Sequence, residues 1–197
     1  MLEKQFLEMS REVSECKLCE LHQNRTKSVF GMGNPYAEIM LIGEGPGHDE
    51  DIQGLPFVGK SGQLLDKILA ACGFDREEFV YIANIVKCRP PQNRDPKPEE
   101  QDACLVYLHK QIELISPSII VLLGATALKS LIDPELRITK VRGEWLEWKQ
   151  YQVMPSYHPS ALLRNPSLKK DSWEDFKKVV VKYRELVDPA HKAPNDI

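Results

Sequence analysis

A short stretch rich in glycine and acidic residues has the composition of a catalytic loop. It begins at Gly43, after the apolar run 37–42, and reads GEGPGHDEDIQGLPFVG as far as Gly59. The apolar run suits a buried strand, and glycines let the following backbone turn sharply and approach a ligand closely. Because the loop is acidic and its spacing to Lys60 and Ser61 is wrong, we exclude a phosphate-binding P-loop. A surface loop with solvated carboxylates remains the alternative.

Four of the five cysteines have a spacing that is typical of metal ligands. Cys16 and Cys19 form a C-x2-C pair in a predicted loop, and Cys88 and Cys104 follow later in the chain. Four thiolates can close a tetrahedral zinc site or hold a [4Fe-4S] cluster, and the number of ligands does not separate the two. The spacing alone favours zinc. Unrelated buried cysteines are the alternative, which we assign to Cys72 because it lies on the apolar face of a predicted helix.

The length and charge of the chain restrict its organisation and its partners. At 197 residues it is long enough for one domain with a sizeable core and short for two, so we expect a single domain over 1–197. The net charge of -3 gives no global sign of nucleic-acid binding. Such binding would depend on three basic stretches, each of which could also be a solvated face: Lys87, Arg89, Arg94 and Lys97; Arg137, Lys140 and Arg142; Arg164, Lys169 and Lys170.

The amino terminus and the hydropathy pattern predict a location. The first residues are charged and amphipathic, so we predict no signal peptide. No apolar run is long enough to span a membrane, and we expect no membrane partner. We therefore expect a cytoplasmic protein, in a compartment where disulfides are rare. We also expect a monomer.

Predicted strands and helices alternate along most of the chain. Such alternation indicates an α/β protein with a parallel sheet that is covered on both faces. The carboxyl ends of the strands then gather at one edge, where Glu44, Asn84 and His158 are expected. We predict a helix and a cysteine-bearing loop over 1–36 and a frayed tail over 188–197. The predicted strands are 37–42, 80–86, 119–123 and 152–154, and the predicted helices are 2–15, 62–72, 99–115, 124–132 and 172–187.

Taken together, these features resemble the family 4 uracil-DNA glycosylases, the iron-sulfur branch of the uracil-DNA glycosylase superfamily. The resemblance covers about residues 1–187 and rests on the cysteine spacing and on three motifs. These are GEGPGHDEDIQGLPFVGKSG (43–62), NIVKCRPPQNR (84–94) and HPSALLR (158–164). It implies a three-layer α/β/α sandwich with a four-stranded parallel central sheet. It also implies a DNA-repair enzyme that hydrolyses the N-glycosidic bond of uracil in DNA, single- or double-stranded, and leaves an abasic site. This resemblance, rather than the spacing, changes the interpretation from zinc to a [4Fe-4S] cluster held by Cys16, Cys19, Cys88 and Cys104.

The resemblance assigns two residues to recognition of a base that has been flipped out of the DNA stack. Phe57 matches the aromatic side chain on which the base stacks. Asn84 matches the amide that reads uracil, since its NH2 group can donate to O4 and its carbonyl can accept from N3–H. Cytosine presents the opposite pattern at these two atoms, so a site of this kind rejects it. The alternatives are a core role for Phe57 and a turn role for Asn84.

The HPSALLR motif is implied to contact the DNA. Leu162 or Leu163 is the expected apolar wedge that fills the gap left by the flipped base, while Ser160 or Arg164 contacts phosphate. An exposed pair of leucines beside a basic residue would favour this role. The alternative places both leucines in the core.

The resemblance also implies the chemistry of bond cleavage. His158 is expected to donate to O2 of the departing uracil anion, as a donor does in an oxyanion hole. Superfamily relatives with a catalytic aspartate carry it at the position of Gly45, so the group that activates water stays open. Glu44 could orient the water or stabilise the cationic sugar, and Gly45 could supply a main-chain amide or leave room. No lysine stands out as a Schiff-base nucleophile, so we predict a monofunctional enzyme.

Three other functions are weighed against this one. A related branch becomes covalently trapped on uracil DNA through a histidine in a basic insertion after the second strand, but residues 87–100 contain neither. A metal-stabilised DNA-binding module without enzymatic activity would tolerate replacement of Asn84 and His158. An enzyme acting on free nucleotides would favour a closed pocket over exposed leucines.

Overall fold

The computed structural model describes residues 2–194. Over these residues the strands are β1 (Met32–Gly33), β2 (Ile39–Gly43), β3 (Val80–Asn84), β4 (Ile119–Leu123), β5 (Leu146–Trp148) and β6 (Tyr151–Ser156). The α-helices are α1 (Leu2–Glu15), α2 (His48–Gln53), α3 (Lys60–Ala71), α4 (Pro98–Ile115), α5 (Ala125–Leu131), α6 (Ile138–Val141), α7 (Pro159–Arg164) and α8 (Lys169–Leu186). None of the helices described here is long and apolar enough to cross a bilayer.

The strands described form one mixed sheet in the order β1-β3-β2-β4-β6-β5. The four central strands are parallel, whereas β1 and β5 pair antiparallel at the two edges. The prediction of a four-stranded parallel sheet is therefore corrected to a six-stranded mixed sheet. The sequence predicts a β excursion over 137–155, which contains β5 without giving its bounds, and it does not predict β1. These strands have three and two residues, which is too short for a periodic pattern.

Helices cover both faces of the sheet, which gives three layers. Alternate residues of β2 point to opposite sides, so Met40 and Ile42 belong to one core while Ile39 and Leu41 belong to the other. Helices α1, α4 and α5 contribute to the first core, and α3 and α8 contribute to the second. Strands buried on both faces explain the continuous apolar runs in the sequence.

Helix α4 is fixed at both ends and carries one of the candidate metal ligands. Pro98 occupies its first turn, where a missing N–H costs nothing, and the carboxylate of Glu100 accepts from the main-chain N–H of Lys97 over 2.7 Å. Ser116 ends the helix in the left-handed region, with φ of 50°. The buried face between these ends includes Cys104.

The chain does not fray at residue 188, which corrects the prediction for the described part of the tail, 188–194. The imidazole of His191 is buried and stacks on the ring of Phe74, with 4.6 Å between the ring centroids. Its Nε2 lies 2.9 Å from the carbonyl oxygen of Cys72. Aromatic packing of this kind holds the segment against the second core. Residues 195–197 of the predicted tail lie outside the described residues.

Candidate active site

Two neighbouring strands bring candidate residues together at the carboxyl edge of the sheet. Gly43 ends β2 and is in register with Asn84, which ends β3. A Cβ atom on Gly43 would lie 2.6 Å from Asn84 Oδ1 and 2.7 Å from Cζ of Phe57. Since real Cβ atoms do not approach so closely, a side chain at position 43 would displace the Asn84 amide or the Phe57 ring. Asn84 and Phe57 therefore both border the space next to Gly43.

The Asn84 side chain is buried without a full set of hydrogen bonds. The residue is 2% exposed, and within residues 2–194 its Oδ1 atom has no hydrogen-bond partner. A buried acceptor that is left unpaired costs about 1–3 kcal/mol. Such a group in a rigid strand end is suited to receive a donor from a ligand.

Phe57 is held in an unusual backbone conformation next to the amide. Its φ of 51° lies in the left-handed region, which is uncommon for a bulky residue. Arg76 Nη1 donates to the Phe57 carbonyl over 2.7 Å, and a Cβ on Gly62 would lie 1.8 Å from that oxygen. The Phe57 ring lies 5.4 Å from the His158 ring, centroid to centroid, at 31°. These contacts fix the backbone of Phe57 and therefore the position of its ring.

Glu50 shapes the loop that carries Phe57. Its Oε1 accepts from the main-chain N–H groups of Val58 and Gly59, each over 2.9 Å. Its Oε2 accepts from the N–H of Gly47 over 3.1 Å. One carboxylate thus satisfies three main-chain donors on both sides of α2, and such charge-assisted bonds are the strong ones.

The imidazole of His158 is fixed as a neutral hydrogen-bond donor. Its Nδ1 accepts from the main-chain N–H of Ser160 over 3.1 Å, so in the neutral ring the proton is on Nε2. Burial, together with the positive charge of Arg164, lowers the pKa of His158 to about 4. Gly124, at φ of 97°, packs closely against this residue, because a Cβ there would lie 3.0 Å from the Cβ of His158.

Glu44 is held by a residue that the sequence did not indicate. Thr126 Oγ1 donates to Glu44 Oε2 over 2.5 Å. Burial raises the pKa of Glu44, while the hydrogen bond from Thr126 opposes the rise. A Cβ on Gly45 would lie 2.6 Å from Cγ2 of Val86, so a larger residue does not fit there without displacing Val86. The absence of a side chain at position 45 therefore allows the turn to pack closely against Val86. Glu44 supplies the carboxylate at this end of β2.

Helix α7 separates the two adjacent leucines. Leu162 is 1% exposed and packs inside the protein, whereas Leu163 is 43% exposed. Leu162 is therefore in the core, which was the alternative to a wedge, and Leu163 alone of the two is exposed, because successive helical residues point in directions about 100° apart. Ser160 Oγ lies 2.8 Å from His158 Nδ1, so this hydroxyl is engaged inside the site. Arg164 is exposed at the end of the helix.

Several of the basic residues in these stretches are buried or form ion pairs within the protein. Lys87 is buried, Arg94 pairs with Glu100 over 2.6 Å, and Arg142 pairs with the buried Asp175. Within the three basic stretches, the exposed residues for which residues 2–194 offer no ion pair are Arg137, Lys140, Arg164, Lys169 and Lys170.

The four spaced cysteines line one pocket, which lies between the first helix, the end of β3 and α4. Arg25 Nη1 lies 3.1 Å from Cys88 Sγ, and the main-chain N–H of Lys87 lies 3.2 Å from Cys104 Sγ. Burial raises the pKa of the Cys104 thiol to about 11. Cys72 lies in the opposite core. The described residues contain no group of three or more His, Cys, Asp or Glu side chains that could hold a metal ion.

The fold and the site together define a class of protein, and comparison with known families names it. Residues 30–179 match the family model described as Uracil DNA glycosylase superfamily. This match covers more than half of the chain. The chain therefore belongs to the uracil DNA glycosylase superfamily.

The relatives place the chain in one branch of that superfamily. It is 51% identical over 174 residues to the type-4 uracil-DNA glycosylase of Thermotoga maritima, covering 86% of this chain and 90% of that protein. It is 47% identical over 177 residues to the type-4 uracil-DNA glycosylase of Archaeoglobus fulgidus, covering 86% and 88%. The protein of the same name from Sulfurisphaera tokodaii is 47% identical over 180 residues, covering 87% and 81%. Within the superfamily, the chain is a member of the type-4 branch.

Proposed function

We infer that this uracil-DNA glycosylase flips uracil out of DNA and hydrolyses its N-glycosidic bond, which releases free uracil and leaves an abasic site. The observation that carries the inference is the buried Asn84 oxygen, which has no hydrogen-bond partner within residues 2–194. It lies at the edge of the sheet beside Phe57. The relatives named as type-4 uracil-DNA glycosylases support the same reaction.

Asn84 and Phe57 are proposed to bind the flipped base. The unpaired Oδ1 would accept from N3–H of uracil, and Nδ2 would donate to O4. Phe57 would stack on the base, an interaction worth about 1–3 kcal/mol. The donor and acceptor pattern excludes cytosine because both amide groups would face atoms of their own kind.

His158 and Glu44 are proposed to stabilise the charges that develop as the bond breaks. The departing uracil becomes negative, and His158 Nε2–H would donate to its O2 atom. The sugar becomes positive, and the Glu44 carboxylate would stabilise it or orient the attacking water. Thr126 occupies Oε2 of Glu44, so Oε1 is the oxygen proposed for this task. Gly45, whose Cα packs against Val86, is proposed to offer its main-chain amide to the substrate.

The enzyme is proposed to be monofunctional. Lys87, the lysine nearest in sequence to the base-reading amide, is engaged with the Asn84 carbonyl and with Gln111. A buried ammonium that donates to two acceptors is unsuited to attack a sugar, because a Schiff base requires a free amine. Exposed Arg164 is proposed to contact a DNA phosphate.

The function is tested with labelled oligonucleotides that carry one uracil in single-stranded, U:G and U:A forms. We expect cleavage at the uracil after heating in alkali and none before it, since an abasic strand breaks in alkali. Cleavage without alkali would contradict monofunctional chemistry. A heat-stable protein–DNA adduct would indicate covalent trapping, and the absence of all three products would favour a DNA-binding module.

The exposed leucine of α7 is predicted to act as the wedge in double-stranded DNA. We expect Leu163→Ala to slow excision from a duplex by about 10-fold, from the loss of about 1.5 kcal/mol of apolar contact. Excision from single strands, where no stack must be replaced, should change little. Leu162→Ala is the matched control: it should lower the free energy of unfolding by about 2–5 kcal/mol. Equal losses on both substrates for Leu163→Ala would contradict the wedge.

We propose that Cys16, Cys19, Cys88 and Cys104 hold a [4Fe-4S] cluster. They line a single pocket, and each thiolate of such a cluster binds a different iron, so the ligands stand farther apart than around one ion. The donors near Cys88 and Cys104 suit thiolate ligands, since hydrogen bonds favour the charged form. When bound, the cluster would supply covalent ties between the amino-terminal loop, the end of β3 and α4.

The cluster is tested through colour and stability. Wild-type protein prepared without oxygen should be brown with broad visible absorption. Cys88→Ser should lose that absorption and melt roughly 5–15 °C lower, if the lost tie is worth about 2–4 kcal/mol as a covalent cross-link is. Cys72→Ala is the matched control and should keep the colour, because Cys72 lies in the other core. Colourless wild-type protein with stoichiometric zinc would overturn the assignment.

A further inference from the structure

Lys87 is a buried ammonium group next to the four-cysteine pocket. The residue is 1% exposed, and it lines the pocket together with the four cysteines. Its main-chain N–H donates to Cys104 Sγ over 3.2 Å. A buried ammonium loses its hydration, which costs several kcal/mol unless other groups replace the water. The position of this charge therefore requires an explanation beyond packing.

The hydrogen bonds of Lys87 lead to the base-reading residue. Its Nζ donates to the main-chain carbonyl of Asn84 over 2.9 Å and to Gln111 Oε1 over 2.6 Å. Gln111 is itself fixed, because its Nε2 donates to the carbonyl of Phe30 and lies 3.2 Å from the hydroxyl of Tyr81. Gln111 thus fixes the position of the ammonium, and the ammonium in turn fixes the main-chain carbonyl at the end of β3.

Neither acceptor of Lys87 carries a charge. Across the described residues, none of the ion pairs includes Lys87. The thiolates that would bind a cluster line the same pocket as Lys87. Opposite charges attract strongly in a site that excludes water, so these thiolates are the natural counter-charge.

The same segment of chain joins the cluster ligands to the catalytic turn. Lys87 stands between Asn84 and Cys88, and the main-chain N–H of Val86 donates to the carbonyl of Glu44 over 3.1 Å. A displacement of this segment at the pocket would therefore reach both the base-reading amide and the turn.

We propose that Lys87 is a positioning residue that couples the four-cysteine cluster to base recognition. Its ammonium compensates the charge of the thiolates and fixes the carbonyl of Asn84, and through it the orientation of the amide side chain. The inference rests on the proposed uracil excision and on the proposed cluster.

A double-mutant cycle tests the link to the base. Partners in the shell around a metal ligand commonly contribute 10- to 100-fold to activity, so Lys87→Met should reduce kcat/KM for uracil DNA by about 10- to 100-fold. Because Lys87 acts through Asn84, this loss should largely vanish when Lys87→Met is made in an Asn84→Ala background. Val180→Ala, a core change on the opposite face of the sheet, is the control and should have the same small effect in both backgrounds.

The reduction potential of the cluster tests the link to the pocket. Removal of a nearby positive charge makes the addition of an electron less favourable, so Lys87→Met should lower the potential. Val180→Ala should leave it unchanged. This readout does not depend on catalysis.

The outcomes separate the inference from the function on which it rests. If wild-type protein excises uracil but the losses from Lys87→Met and Asn84→Ala simply multiply, the coupling is disproved and the function stands. An unchanged potential likewise disproves the counter-charge. If Lys87→Met does not fold, Gln111→Leu removes the second acceptor of the ammonium and must show the same dependence on Asn84. Wild-type protein without activity overturns both proposals.

Discussion

His158→Ala is expected to slow uracil excision by on the order of 10²- to 10³-fold. The Nε2–H bond strengthens as negative charge develops on uracil, so its loss should lower kcat while KM for the DNA stays within a few-fold. Single-turnover rates on a uracil oligonucleotide measure this directly. His109→Ala is the control, since His109 lies on α4 against Trp148 and outside the site. A rate for His158→Ala within about 3-fold of wild type would remove the imidazole from the chemistry.

The protonation state of His158 predicts the pH dependence. Its pKa is lowered to about 4, chiefly by burial, so the ring is neutral at every pH well above that value. The wild-type rate should therefore not fall through loss of an imidazolium between about pH 5 and pH 8. The unfolded chain, with an ordinary histidine pKa near 6.5, binds more protons than the folded chain below that pH. Stability from this residue is thus complete above about pH 6.5 and declines as the pH falls towards 4.

Much of the fold could be predicted because buried strands and helices have characteristic local patterns of apolar residues. The continuous apolar runs of β2 and β4 and the apolar face of α4 are confirmed within a few residues. The meeting of Gly43 and Asn84 follows from a general property of parallel sheets, whose strands end at a common edge. The proximity of Gly43 and Asn84 could therefore be predicted from the topology alone.

The features that sequence reasoning missed depend on contacts between distant residues. In the sequence Lys87 belongs to a basic stretch, yet Gln111, 24 positions later, gives its ammonium an acceptor inside the protein. Thr126 reaches Glu44 across 82 positions, and no local pattern marks it. Leu162 and Leu163 are chemically identical, so only the rotation of a short helix decides which one is buried.

Asn84→Asp is expected to reduce uracil excision by on the order of 10²- to 10⁴-fold. The change keeps the shape of the side chain but removes the NH2 donor to O4, and an ionised carboxylate would repel the acceptors of uracil. Each polar group left unpaired in a buried site costs about 1–3 kcal/mol, and two are affected. Because Asn84 is 2% exposed, the backbone should not be able to move it into water as compensation.

The same substitution should change the preferred base in a pH-dependent manner. A protonated carboxyl group can accept from the NH2 of cytosine and donate to its N3. This pattern is the opposite of the one that Asn84 offers. Burial raises the pKa of a carboxyl group, so the protonated fraction, and with it the ratio of cytosine to uracil excision, should increase as the pH falls. Asn34→Asp, the same chemical change near the opposite edge of the sheet, should leave both rates unaltered. Unchanged uracil excision in Asn84→Asp would place the base elsewhere, and the unpaired oxygen at the end of β3 would then need another ligand.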